Sequence, residues 1–140
     1  MTKIIMNGCN GKMGQVISRL VAEDGDAEIV CGVDINTAEL NGYPVVKSIE
    51  EFDGEADVVI DFSHPSCLTS ILTYCKEKKM PVILATTGFT EEQKKEFTEA
   101  SKEIPLFFSA NMSLGINLLI SLAKQAAKLL EGNFDIEIVE

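Results

Sequence analysis

The chain has no tryptophan, a single histidine and few cations: 12 lysines and arginines stand against 22 acids, for a net charge of −10. Scarcity of positive charge excludes a nucleic-acid partner, because binding a phosphate backbone needs a basic footprint. It does not exclude a nucleotide cofactor, which backbone donors and one or two cations can hold locally. Four cysteines (Cys9, Cys31, Cys67, Cys75) show no C-x-x-C spacing, and one histidine cannot complete a zinc set, so no metal is expected. The thiols read as small core or surface residues in a reducing compartment. No apolar run is long enough to span a bilayer and no signal region precedes the first strand pattern. A soluble, cytoplasmic protein is expected.

What the chain does have is glycine in a telling place. Gly8, Gly11 and Gly14 follow the apolar run Ile4-Ile5-Met6 and open an amphipathic helix. A glycine turn between strand and helix lets backbone N–H groups approach a pyrophosphate, whose charge then sits on the helix N-terminus. The spacing is G-x-x-G-x-x-G, a variant of G-x-G-x-x-G. Twenty residues past Gly14 a second apolar run ends at Asp34, where a ribose-binding carboxylate would sit.

Strand and helix patterns alternate along the whole length. Strands are expected over 3–6, 28–34, 57–61, 81–85, 105–108 and 134–139. Helices are expected over 12–23, with Met13, Val16, Ile17 and Leu20 on one face, then from Pro65 to about 78, from a Thr90 cap to about 102, and over about 113–130. Ser48-Ile49-Glu50-Glu51 and Thr90-Glu91-Glu92-Gln93 both match capping boxes. The stretch 35–46 reads as loop. The helix 113–130 is apolar on nearly every face, which predicts burial between sheet and neighbouring helices. The pattern is α/β: a Rossmann-like, doubly wound, mostly parallel sheet of about six strands with helices on both faces, forming one dinucleotide-binding domain over 1–140.

In such sheets the ligand lies outside the carboxyl ends of the strands. Those ends carry the glycine loop with Lys12; Asp34; Asp61-Phe62-Ser63-His64-Pro65; Thr86-Thr87-Gly88-Phe89; and Ser109-Ala110-Asn111-Met112-Ser113. Asp34 is followed by Ile35 rather than arginine, which favours NADH, since a carboxylate repels a 2′-phosphate. Lys12 either reaches a phosphate from the glycine loop or is a solvated helix-start lysine. His64 reads as a polar residue at a helix start rather than an acid or base. Two Tyr-x-x-x-Lys matches, Tyr43 with Lys47 and Tyr74 with Lys78, read as chance.

These segments resemble, in order, those of the dihydrodipicolinate reductase (4-hydroxy-tetrahydrodipicolinate reductase) family. Gly8-Cys9-Asn10-Gly11-Lys12-Met13-Gly14 is similar to its G-A/C-x-G-R/K-M-G opening, and Asp61-Phe62-Ser63-His64-Pro65 to its D-F-T/S-x-P loop. Thr86-Thr87-Gly88 is similar to its T-T-G segment, the stretch 110–117 to its A-x-N-F/M-S-x-G-V/I-N element, and 134–140 to its F-D-I-E-I-x-E strand. The resemblance implies NAD(P)H-dependent reduction of dihydrodipicolinate to tetrahydrodipicolinate on the diaminopimelate route to lysine. It places Gly8, Gly11, Lys12 and Met13 at the pyrophosphate, with Asn10 and Gly14 completing the loop, and Asp34 at the adenine ribose. Phe62 and Ser63 would lie along the cofactor, Thr86 and Gly88 beside the nicotinamide, and Ala110, Asn111 and Met112 at its pocket and hinge.

One departure is large. In the family, a His-His pair and a K-x-D-A-P-S-G-T stretch follow the last of these motifs and begin a substrate and oligomerisation domain, whereas this sequence stops at Glu140. No catalytic residue is therefore assigned. The chain is expected to bind NAD(H), and NADP(H) as a second choice, with little or no turnover, and the parent enzyme to be a homotetramer acting on a dicarboxylate. Two other readings stay open. One is a free-standing redox-sensing module that uses the Leu114–Leu130 helix as a partner surface. The other is a relative of aspartate or homoserine dehydrogenase, against which the 61–65 and 110–117 motifs speak.

Overall fold

The computed structural model describes residues 1–137 and Val139. Six strands, β1 (Thr2–Asn7), β2 (Ala27–Val33), β3 (Val45–Val46), β4 (Val58–Asp61), β5 (Val82–Leu84) and β6 (Leu106–Phe108), form one sheet in the order β3-β2-β1-β4-β5-β6, every pair parallel. Four α-helices are described: α1 (Lys12–Glu23), α2 (Leu68–Lys78), α3 (Glu91–Ala100) and α4 (Leu114–Leu130). This is the doubly wound order, whose direction reverses between β1 and β4 and so opens a crevice at their carboxyl ends. By its contacts the chain divides into two units, Met1–Ala110 and Asn111–Glu140. Among the described residues no helix is long and apolar enough to cross a membrane.

Within the first unit, alternation along the strands sends neighbouring residues to opposite faces. One row in register, Ile5, Val59, Val82 and Leu106, faces the core formed with α2 and α3, where Leu68, Ile71, Leu72 and Phe97 are buried. The opposite row, Met6, Ile60, Ile83 and Phe107, begins fully buried in a cluster with Ile17 of α1. It ends with Phe107 57% exposed. Within this unit helices thus lie on both faces, α1 on one and α2 with α3 on the other.

Four local expectations change. The apolar face of α1 is covered only in part: Ile17 packs on the Met6 cluster, but Met13, Val16 and Leu20 are exposed, while Gly14 and Ser18 are buried. Small residues four apart let the helix pack closely, and the Ser18 hydroxyl donates to Gly14 O (2.7 Å) and pairs with the buried Tyr43 hydroxyl (2.6 Å). The Ser48 capping box does not form, because Ile49–Glu51 is a single 3-10 turn and Ser48 Oγ bonds Glu50 instead. On the longer α3 the Thr90–Gln93 box is complete. The sixth strand of the sheet is β3, inside the expected loop. The segment expected as a strand over 134–139 has no strand among its described residues, 134–137 and 139, and Ile138 lies outside them. Finally, α4 carries no buried residue, and Leu118, Leu119, Ile120 and Leu122 are exposed. A lone helix in a unit of this size has nothing of its own to cover every face.

Candidate functional site

The site is built where β1, β2, β4 and β5 end. Gly8 leaves β1 at φ 79°, a left-handed conformation that glycine adopts without a Cβ penalty, and its N–H donates to Val33 O (2.8 Å) at the end of β2. A Cβ there would stand 2.6 Å from Phe62 O, so the loops after β1 and β4 are in backbone contact. Gly11 N donates back to Gly8 O (3.1 Å), closing the turn, and α1 begins at Lys12.

The start of α1 is unusual in three ways. Gly11 is its cap and supplies no side-chain acceptor, its first turn holds no acid, and its first residue is a lysine. The first N–H groups of a helix lack intrahelical partners and carry partial positive charge, which acids and capping oxygens normally satisfy. Here all three departures leave that charge for an external anion. Space permits one: a Cβ on Gly11 would meet only Gly8 O, at 3.2 Å. These residues fit the pyrophosphate of a dinucleotide.

Asp34 holds the loop together. Its Oδ2 accepts from Asn10 N and its Oδ1 from Asn36 N, each at 3.0 Å, leaving each oxygen a further lone pair. Asn10 Nδ2 donates to Asn36 O (2.6 Å) and Ala38 O (2.9 Å), while its Oδ1 is buried without a hydrogen-bond partner. Asn10 therefore braces the 36–38 loop, and Gly14 faces the Gly8 and Cys9 backbone rather than a ligand. Lys12 and Met13 stand exposed at the helix start.

Behind the crevice lies a polar hub that the sequence reading did not identify. Asp61, 1% exposed, accepts at Oδ1 from Asn7 Nδ2 (2.8 Å), Ser63 N (3.1 Å) and Ser63 Oγ (2.6 Å), and at Oδ2 from Thr86 Oγ1 (2.8 Å). One carboxylate thereby ties the ends of β1, β4 and β5 together. Ser63 Oγ also accepts from Asn7 Nδ2 (2.9 Å).

A cavity of about 260 Å³ opens between these loops, near the lower end of the usual range of about 300–1,000 Å³ for small-molecule pockets. Of the expected residues it brings together Gly8, Gly11, Asp34, Phe62 and Ser63. It adds Lys47, His64 and Cys67. His64 is the cap of a short 3-10 turn, its Nδ1 accepting from Ser66 N (3.2 Å), which bears out the helix-start reading. In both Tyr-x-x-x-Lys matches the tyrosine is held structurally: Tyr43 is buried against Ser18, and Tyr74 donates to Phe52 O (3.2 Å). Thr86 and Gly88, the latter at φ 83°, follow β5 and do not line the cavity. Ala110 is exposed and ends the first unit. Asn111 and Met112 belong to the second unit, where Asn111 Oδ1 accepts from Ser113 N (2.9 Å) ahead of α4. Among the described residues no group of histidines, cysteines and acids could hold a metal.

Residues 2–112 match the family model described as dihydrodipicolinate reductase, N-terminus. The 4-hydroxy-tetrahydrodipicolinate reductase of Caldanaerobacter subterraneus subsp. tengcongensis is 55% identical over 140 residues, all of this chain and 55% of that protein. That of Clostridium tetani is 48% identical, again over all of this chain and 55% of its own length. The chain thus spans about half the length of the curated relatives it matches. Among solved structures, dipicolinate-bound dihydrodipicolinate reductase from Paenisporosarcina sp. TG-14 superposes with a TM-score of 0.76 at 24% identity, over 91% of this chain and 54% of that one. The WlbA dehydrogenase of Chromobacterium violaceum, solved with NADH and UDP-GlcNAcA, gives 0.69 at 21% identity, over 94% and 41%. At such identities these two structures speak for the shared fold.

Proposed function

The chain belongs to the dihydrodipicolinate reductase family, and from that premise we propose that its first unit binds a nicotinamide dinucleotide for the reduction of dihydrodipicolinate to tetrahydrodipicolinate in lysine biosynthesis. The observation that carries the reading is the start of α1, free of a side-chain cap and of acids, beside a carboxylate at the end of the next strand. In this reading the N–H groups of Lys12 and Met13, with the Lys12 ammonium, hold the pyrophosphate. Asp34 accepts from the adenine ribose hydroxyls with its remaining lone pairs, and Phe62 and Ser63 flank the adenosine half in the cavity. Thr86, Gly88, Ala110, Asn111 and Met112 take the nicotinamide end, on family grounds. Hydride transfer needs cofactor and substrate held face to face. The dicarboxylate substrate and a homotetrameric assembly are assigned to the parent enzyme, and this chain alone is proposed to bind cofactor with little or no turnover.

Isothermal titration tests the reading. NADH is expected to bind saturably at one site, and Asp34→Ala to weaken NADH by about tenfold, the scale of lost charge-assisted hydrogen bonds. Because Asp34 also anchors Asn10 and Asn36, the informative quantity is the ratio: NADH must lose more than NADPH. Absence of NADH binding by the parent chain removes the proposal, and an unchanged ratio removes Asp34 from the ribose.

The thiols provide a second check. Burial, then the Asp34 charge, pushes the Cys9 thiol up to about 11, and burial, then the Asp61 charge, pushes Cys75 up to about 12. Burial also raises Cys31. The thiolate is the reactive form, and only Cys67 is partly exposed. Cys67 is expected to be the first cysteine alkylated by iodoacetamide in the native chain, and saturating NADH to slow it. Peptide mapping that finds Cys9 or Cys75 first, or no protection at Cys67, contradicts this placement of the cofactor.

A further inference from the structure

Dinucleotide sites that take a 2′-phosphate place a cation beside the ribose, commonly an arginine near the strand-end acid. Here Ile35 follows Asp34 and offers none. The fold supplies a cation from elsewhere. Strands β2 and β3 pair with Val33 opposite Val46, and Asp34 N donates to Val46 O (3.0 Å), which sets Lys47 beside Asp34 at the same sheet edge. Both residues line the cavity, and Lys47 is its only lysine or arginine. Its side chain is exposed and forms no salt bridge among the described residues, with Asp34 or any other acid. Asp34 meanwhile is fixed by two backbone N–H groups, whose dipoles offset part of its charge.

We propose that Lys47 is a specificity-determining residue: its ammonium, delivered from the neighbouring strand, receives the 2′-phosphate and lets a site with a ribose-binding aspartate accept NADPH as well as NADH. The inference rests on the dinucleotide reading above and deepens it. The ammonium sits on a flexible four-carbon stem, so it can swing toward a phosphate and stay in solvent when the ribose carries a hydroxyl. The pairing is therefore conditional on the ligand. A lysine that served only to neutralise Asp34 would be engaged with it in the free protein.

Titration of the parent chain, Lys47→Gln and Lys47→Arg with NADH and NADPH tests this, with 5′-ADP and 2′,5′-ADP as fragments that isolate the phosphate. Lys47→Gln is expected to weaken NADPH and 2′,5′-ADP by about tenfold, the effect of one charge-assisted hydrogen bond, with NADH and 5′-ADP changed by less than about twofold. Lys47→Arg is expected to restore NADPH binding, and added salt to narrow the difference between parent and Gln variant. Equal loss of both nucleotides, an unchanged ratio, or a parent chain that binds NADH but not NADPH overturns the role of Lys47 alone. A parent chain that binds neither nucleotide overturns the dinucleotide reading and this inference with it. Lys47 is exposed, so its variants are expected to melt with the parent.

Discussion

Asp61→Ala is expected to cost this chain about 2–5 kcal/mol of folding stability, the penalty for stranding two or more buried donors, out of a total of about 5–15 kcal/mol for a domain of ordinary stability. The Asp61 carboxylate is the only acceptor reached by Thr86 Oγ1 among its described bonds, and it shares the Asn7 amide with Ser63. Removing it leaves those groups short of an acceptor at side chains no more than 4% exposed. Asp61→Asn separates hydrogen bonding from charge. The asparagine oxygen can take the Oδ1 position and keep the Asn7 and Ser63 donors. Its amide would then face Thr86, whose hydroxyl can rotate to accept. That variant is expected to lose no more than about 1 kcal/mol and to retain most of its NADH affinity. The alanine variant, where folded, is expected to bind NADH more weakly, because Ser63 and the segment after Thr86 are no longer fixed. Urea unfolding monitored by circular dichroism gives the stabilities and titration gives the affinities. An alanine variant that unfolds with the parent, or an asparagine variant equally damaged, would remove Asp61 as the hub.

How much of this was legible in the sequence depended on the length of each signal. β1, β2, β4, β5 and α1 to α4 carry runs long enough to show their period, and each was expected within a few residues of its observed span. β3 is two residues long and has no period to read, so Val45–Val46 reads as loop in the sequence. That omission also hid Lys47, whose position beside Asp34 follows only once β3 pairs with β2. The 134–139 segment shows the reverse. Its alternation is that of a strand, but alternation records a preference and a strand also needs a partner. None of the described ladders includes these residues. On α1 the apolar stripe at helical spacing was real, yet the sheet took the adjacent Gly14–Ser18 stripe, because close packing on the glycine loop admits only small side chains. Asp61 was visible as a strand-end acid. Its burial and two of its four hydrogen bonds depend on Asn7 of β1 and on Thr86 just after β5, 54 and 25 residues away in the chain, which no local pattern encodes.

Gly14→Ala is expected to be strongly damaging, because among the glycines a Cβ there makes the shortest contact. An alanine Cβ would lie 2.1 Å from Gly8 O, 2.6 Å from Cys9 O and 2.7 Å from Cys9 C, all of them backbone atoms. A flexible side chain could turn away from such a contact, but here the loop or the helix must move as a body. Overpacking of this kind costs about 1–3 kcal/mol and at times more. The displacement also has a direction: it pushes the start of α1 away from Gly8 and so moves the N–H groups of Lys12 and Met13 off the position where an anion would meet them. Stability and cofactor affinity should therefore fall together, with NADH binding weakened by about tenfold or more as oriented donors are lost. Gly25→Ala is the matched control, since a Cβ at Gly25 meets nothing within 4 Å and its φ is not positive. It is expected to leave melting temperature and NADH affinity unchanged. Thermal unfolding and NADH titration of the two variants separate a general intolerance of alanine from the steric demand of one helix start. A Gly14→Ala chain that melts and binds like Gly25→Ala would mean that α1 can stand off the loop without loss, and the close approach at Gly14 would then have no part in holding the cofactor.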